Sequence, residues 1–348
     1  MARIRTLTGS ISITRRSLLQ YGTGVFLAWA GSSAWAARPD NRRCIFINLV
    51  GGPSHLDTWD PKPQAPSEYR GPFKAIATKV DGVQISELFP KMASRLDQMT
   101  LVRSVYHDAA PIHETGMQFL QQGSLCKFSS QNGLLLPGPI ENTGVQLSHG
   151  QDGLVSPHHV NYQQTTLERA SLREEYGLHT FGQSCLQARQ AIEAGERFVV
   201  VKMFQNVYDC LSWDCHADGY SLNTKLSDYR EKLAPMFDAT FTTLLRDISQ
   251  RGLLETTLVV AAGEFGRSPK INLRGGRDHW TGVWTVILAG AGFSNGKVIG
   301  SSDRLGMEPN SQPVHASAIA NTVKSFLGVP YSVVHENGQP LQHTPATS

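Results

Sequence analysis

The sequence predicts an α/β sandwich, three layers deep in the order α/β/α, around a mostly parallel central sheet. Three observations carry that expectation. Short, uninterrupted apolar runs recur along the chain, as strands covered on both faces require. A long stretch repeats its apolar residues every three or four positions, the period of an amphipathic helix. The two patterns alternate, so helices lie between strands. With 348 residues, 40% hydrophobic and 8% aromatic, the chain can bury one large core or two modest ones, and global disorder is excluded.

The first segment stands apart from that core. Thr14-Arg15-Arg16-Ser17-Leu18-Leu19 precedes an apolar stretch, Tyr21 to Trp29, and Ala34-Trp35-Ala36 offers a small-x-small cleavage site. Residues 1–36 resemble a twin-arginine export signal, the alternative being a basic arm for phosphates. The apolar run is short for a membrane span. The expectations are therefore passage through the twin-arginine translocase, a periplasmic or secreted product, and no stable span in the mature form. Losing Arg3, Arg5, Arg15 and Arg16 takes the formal charge from +3 to −1, so net charge does not suggest a nucleic-acid partner. Five cysteines, Cys44, Cys126, Cys185, Cys210 and Cys215, are too few and irregular for a disulfide scaffold. Each reads as an ordinary buried thiol, with Cys210 and Cys215 the pair close enough in sequence to bridge.

Residues 37–348 then read as one domain. Cys44 to Val50 is an apolar strand stopped by Gly51-Gly52-Pro53. Thr100–Val105, Arg197–Phe204, Thr256–Ala262 and Trp284–Ala289 have the same character. Leu226, Tyr229, Leu233, Phe237, Phe241, Leu244, Leu245 and Ile248 form one helical stripe ending near Gly252. Glu87–Met99, Glu114–Gln122, Gln183–Glu193 and Ala316–Leu327 are further helical candidates. Ser124 to Phe181 is rich in Gly, Pro, Ser and Gln without a sustained period. It reads as an irregular excursion, too long for a connector, with His149, His158 and His159 as loop residues.

Ligands in such sheets bind beyond the carboxyl ends of the strands. After the first strand come His55, Asp57 and Asp60; after the second, His107, Asp108, His113, Glu114 and Thr115. After the third come Asp209, Asp214, His216 and Asp218. After the fourth comes "GEFGRSPKINLRGGRDHW", holding Glu264, Arg267, Arg277, Asp278 and His279. Four successive strand ends thus deliver acids and histidines to one rim, and these are the side chains that hold zinc, manganese and related divalent ions. Each has a structural alternative. Asp57 and Asp60 suit turns, Asp214 and Asp218 suit helix caps, and His279 suits a packed, hydrogen-bonded ring. Glu264 could pair with Arg267, and Asp278 with Arg274 or Arg277. No Ser-centred G-x-S-x-G elbow is present.

The order of these segments resembles a known superfamily. Leu253 to Gly266 is similar to the strand end that supplies metal ligands in the alkaline phosphatase and sulfatase superfamily. His279, the strand from Trp284 to Gly292 and the helix from His315 to Gly328 follow in the same order. "GGPSHLDTWDPKP", "WDCH", "GEFGRSP" and "GRDHW", with the export signal, resemble more closely the bacterial family called domain of unknown function 1501, assigned to that superfamily. The resemblance implies an alkaline-phosphatase-like fold and a divalent metal ion, whether zinc, manganese, calcium or magnesium. His55, Asp57, Asp214, His216, Glu264 and His279 would be its ligands, with Arg267 or Arg277 stabilising anionic oxygens. The implied activity is hydrolysis of a phosphate or sulfate ester, on a small anionic ester or a sulfated or phosphorylated polymer. Thr115 is the nearest match to a hydroxyl nucleophile, and water activated by the metal is the other option.

The departures are specific. Gly51-Gly52 stands where the superfamily has a metal-binding Asp, and Glu264-Phe265 where it has Asp-His. Cys185 to Arg189 does not reproduce the sulfatase nucleophile motif. These losses support a rival expectation, a non-catalytic binding or assembly protein on a degenerate fold.

Overall fold

The structure, a computed structural model, describes residues 41–125, 145–147 and 168–342. The segment expected to be an export signal, residues 1–36, and Cys126, His149, His158, His159 and most of the excursion lie outside the described residues. Strands are β1 Arg43–Asn48, β2 Ala75–Ala77, β3 Gln84–Ser86, β4 Met99–Tyr106, β5 Val145–Leu147, β6 Phe198–Lys202 and β7 Thr257–Ala262. They continue with β8 Gly266–Arg267, β9 His279–Trp280, β10 Trp284–Ala289, β11 Val298–Ile299, β12 Ser301–Ser302, β13 Pro309–Ser311 and β14 Val314–His315. The α-helices are α1 Ser67–Arg70, α2 Pro90–Ala93, α3 His113–Gln122, α4 Ala170–Tyr176, α5 Thr180–Glu193, α6 Leu226–Asp228, α7 Ala234–Gln250 and α8 Ser317–Leu327.

The central sheet runs β11-β4-β10-β7-β1-β6-β5, with β14 also paired to β4. β1 pairs parallel with β6 and β7, and β11 and β14 pair parallel with β4. Only β10 and β5 run against the rest, so the sheet is mostly parallel. The reversal of β10 matters for function: its first residue, Trp284, lies at the edge where β4 and β7 end. The chain preceding it, including β9, is thereby held at that edge.

Alternation along each strand divides the core. Ile45, Ile47, Val199, Val201, Val259 and Ala261 share one large buried cluster with Phe181, Leu186, Phe237 and Phe241 of α5 and α7. Cys44, Phe46, Leu258 and Val260 are also buried but face the other way, where α8 packs on β1 and α3 packs on α8. Helices on both faces explain why these strands read as unbroken apolar runs. The segment after β1 belongs to this core as well. Trp59 is 1% exposed and its ring lies 5.2 Å from Phe89 and 5.6 Å from Phe237, which pulls the loop down and buries its acids.

Two predicted helices differ from what forms. Glu87–Met99 holds only α2 and a 3₁₀ turn, Leu96–Gln98, because Pro90 fixes where a helix can start and Met99 already belongs to β4. The long stripe is α6, a π-type segment Tyr229–Leu233, and α7 in succession. Pro235 has no N–H for the carbonyl of Glu231, and the Ala234 N–H reaches back to Tyr229 instead. The last part of the supposed irregular excursion is also ordered, as α4 and the start of α5. Cys44, Cys185 and Cys215 are buried free thiols, but Cys210 is exposed and free, correcting both its burial and the Cys210–Cys215 bridge. No described helix is long and apolar enough to cross a membrane.

Candidate metal centre

The carboxyl ends of β4, β6 and β7 meet at one edge, and the side chains beyond them converge. His113 is the first residue of α3, Asp214 lies in the loop after β6, Glu264 follows β7 by two residues, and His279 is in β9. β9 is fixed by antiparallel pairing with β8, Arg267 opposite His279. Helix α3 comes close because Gly116 faces the Glu264 backbone, where a Cβ would stand 2.4 Å from the Glu264 carbonyl oxygen.

One nitrogen from each of His113 and His279 and one oxygen of Asp214 lie within 4.8 Å of one another, the one such group among the described residues. His113 Nε2 is 3.0 Å and His279 Nε2 2.9 Å from Asp214 Oδ2. The other Asp214 oxygen, Oδ1, accepts from Arg267 Nη1 at 2.7 Å and is in very short contact with His216 Nδ1. Behind His113, Glu264 Oε1 accepts from Nδ1 at 2.5 Å and from the Gly51 N–H at 2.9 Å. Behind His279, Nδ1 lies 2.8 Å from the carbonyl oxygen of Pro111. A carbonyl only accepts, so that nitrogen carries a proton, and Nε2 is the ring atom turned towards Asp214.

Electrostatics follow from this geometry. Burial resists the charge on Asp214, but Arg267 and then the three histidines hold its carboxyl well below the usual range. Burial lowers His113, and the hydrogen bonds and charges of Asp214 and Glu264 outweigh it, lifting the pKa to about 9. His279 is lowered, chiefly by burial, with Asp214 opposing and Arg267 assisting. His279 Nε2, His113 Nε2 and Asp214 Oδ2 thus face one another as atoms that could each donate to a cation between them. Two imidazole nitrogens and a carboxylate oxygen are a donor set that fits a divalent transition metal. The side chains of His113 and His279 keep 15% and 18% of their surface exposed, so the group has an open side.

The family described as "Protein of unknown function (DUF1501)" matches residues 41–135 and 145–346. The chain belongs to that family. No curated protein matches. Among solved structures, this DUF1501 chain is similar to the PsFucS1 sulfatase from Pseudoalteromonas sp., at 13% identity and TM-score 0.46, covering 90% of this chain and 75% of that one. It is also similar to the C-terminal periplasmic domain of EcEptC from Escherichia coli in complex with Zn, at 11% identity and TM-score 0.41, covering 84% of each. A protein in the alkaline phosphatase superfamily from Vibrio parahaemolyticus overlaps at 10% identity and TM-score 0.38, over 83% of this chain and 67% of that one.

Of the residues singled out in the DUF1501 sequence, Asp214 and His279 face each other, with His216 and Glu264 adjoining. His216 contacts the far oxygen of Asp214, its ring 4.5 Å from that of His279; it does not enter the three-atom group. Glu264 bonds His113 rather than Arg267. His55 and Asp57 are elsewhere, because Trp59 draws their loop into the core. His55 Nε2 meets the carbonyl oxygen of Gly306 at 2.8 Å. Asp57 Oδ2 accepts from Arg277 Nε at 2.6 Å and Ser54 Oγ at 2.5 Å, and both ionic side chains are wholly buried. Arg267 and Arg277 are 0% exposed, occupied by Asp214 with the carbonyls of Gly51 and Gly52, and by Asp57 with those of Tyr69, Ser268 and Pro269. Neither guanidinium is presented to a ligand. Thr115 Oγ1 contacts the carbonyl oxygens of Ala110 and Ile112 at 2.7 and 2.9 Å, backbone acceptors that fasten the start of α3. Asp278 accepts from Asn272 Nδ2 at 3.0 Å instead of pairing with Arg274 or Arg277.

His113 was placed at the rim by the sequence but not counted among the ligands. Its signal was position: it opens an amphipathic helix directly after the second apolar strand, where one histidine is carried to the rim by the helix start. Phe265, noted only as a lost ligand, also acquires a role. Its ring centroid lies 4.9 Å from His113 and 4.5 Å from His279, forming an apolar wall that restrains both imidazoles.

Proposed function

We propose that this protein is a metal-dependent hydrolase-like member of its family, exported through the twin-arginine route, with His113, Asp214 and His279 holding one divalent transition-metal ion. The observation that carries the reading is the convergence of those three ligand atoms at the carboxyl edge of the sheet with one side open. Zinc fits best and manganese next, since two imidazoles disfavour calcium and magnesium. Such an ion, when bound, polarises an ester oxygen and activates water. The residues around it do the positioning: Pro111 and Glu264 aim the two imidazoles, Arg267 neutralises the second oxygen of Asp214, and Phe265 excludes water from one flank. With Thr115 and both arginines engaged by backbone and carboxylates, water would be the attacking group, and a cation held by His113, Asp214 and His279 would supply the anchor for an anionic phosphate or sulfate ester.

A second reading, metal binding without turnover, is favoured by the full engagement of Arg267 and Arg277. Elemental analysis of the purified protein and of His113→Ala and His279→Ala, combined with a panel of phosphate and sulfate esters, decides. One ion per chain, lost in both variants together with ester hydrolysis, is the expected result. One ion without hydrolysis selects the second reading, and metal content unchanged in both variants overturns the site.

A further inference from the structure

Glu264 is 1% exposed and touches the cluster through His113 alone. Its Oε1 receives two hydrogen bonds, from His113 Nδ1 at 2.5 Å and from the Gly51 N–H at 2.9 Å. Its other oxygen, Oε2, is buried without a hydrogen-bond partner. An unpartnered, buried carboxylate oxygen is costly to keep, so stability alone does not account for an acid here. The oxygen that is used sits on the far nitrogen of the His113 ring, opposite the Nε2 that faces Asp214. A carboxylate in that place fixes the ring's tautomer and orientation and raises its strength as a ligand.

We infer that Glu264 is a positioning residue for the metal centre, not one of its ligands, clamping His113 through Nδ1 while the Gly51 amide clamps Glu264. The inference rests on the proposed metal-binding role of His113. Gly51 is integral to it. Its backbone is left-handed, at φ +103°, and a Cβ would stand 2.4 Å from the Asp214 nitrogen. The Gly-Gly turn after β1 therefore brings an N–H donor to the carboxylate at a point where a side chain cannot fit.

The test is zinc affinity by competition with a chromogenic chelator on the parent, Glu264→Ala, Glu264→Gln and His279→Ala, with thermal unfolding and ¹⁵N NMR of the His113 ring in zinc-free protein. Loss of the clamp is expected to weaken zinc about 10–100-fold in the Ala variant. The Gln variant, which retains an acceptor oxygen, should recover part of that loss, and the His113 Nδ1–H signal should disappear only in the Ala variant. A folded Ala variant with parental zinc affinity overturns this inference and leaves the centre standing. Zinc lost as completely in Glu264→Gln as in His279→Ala makes Glu264 a direct ligand and also overturns it. If Glu264→Ala does not fold, Glu264→Gln that binds zinc more weakly than the parent but more tightly than His279→Ala, with its His113 Nδ1–H signal retained, supports the clamp, and parental zinc affinity in Glu264→Gln overturns it. A parent that binds no zinc removes the centre itself, and the inference with it.

Discussion

Replacing Asp57 by Ala separates a structural acid from a ligand. Asp57 and Arg277 form an ion pair in which neither side chain is exposed, and Ser54 donates to the same carboxylate oxygen at 2.5 Å. Removing the acid leaves a buried guanidinium with only the carbonyls of Tyr69, Ser268 and Pro269 as partners. Breaking a buried pair from one side costs about 3–5 kcal/mol, which for a domain of this size lowers Tm by roughly 5–8 °C. The assay is thermal unfolding followed by circular dichroism, run beside elemental analysis of the same samples. Asp57→Ala should lose stability on that scale while retaining the parent's metal content, and His279→Ala should lose the metal with a smaller change in Tm. An Asp57→Ala protein that melts with the parent but has lost its metal refutes the placement of this acid.

Metal uptake should be coupled to proton release. His113 remains charged up to about pH 9, so a cation must displace its Nε2 proton; zinc affinity should fall about tenfold per unit of pH below 9, and calorimetry in buffers of different ionisation enthalpy should count one proton per ion. In zinc-free protein, stability should peak near pH 6.5. His55 is lowered to about 4, chiefly by burial, so its contribution is whole above 6.5 and declines by roughly 3 kcal/mol as pH falls to 4, with His107 and His315 acting in the same direction. His113 has the opposite sign, its contribution being whole below 6.5 and lost as pH rises to 9; a chelated sample whose Tm is flat from pH 4 to 9 contradicts both. Gly51→Ala should destabilise by more than about 2 kcal/mol and weaken zinc binding, whereas Gly82→Ala, equally left-handed at φ +74° but with nothing within 4 Å of its Cβ, should show the smaller backbone strain alone.

The legibility of this chain follows from what each signal depends on. Strands buried on two faces must be apolar throughout, so β1, β4, β6, β7 and β10 could be read in order, and the carboxyl ends of the first four placed on one rim. The direction of β10 could not, since an apolar strand has the same composition either way round. Asp214 and His279 were legible because few loops combine Asp and His so densely. His55 and Asp57 have the same composition, but Trp59 two residues later decides their fate by docking in the core, a tertiary event with no local pattern. His113 was hidden by its neighbour: a hydroxyl at a helix start reads as a nucleophile, and only the turn of α3 determines that Thr115 faces its own backbone while His113 faces the rim.

The charges at the centre argue for a single cation rather than a pair. Asp214 is the one carboxylate whose oxygen joins the three-atom group, and its other oxygen is neutralised by Arg267. Glu264 lies behind an imidazole, and the position after it, where a further donor would extend the cluster, holds Phe265 tilted against both rings. A second divalent ion would need additional anionic oxygens to offset its charge, and the Gly51-Gly52 turn supplies only an amide hydrogen there. Gly51, Glu264 and Phe265 thus act together. Gly51 gives Glu264 its anchor, Glu264 gives His113 its orientation, and Phe265 packs an apolar ring against His113 and His279 where a further donor would extend the cluster.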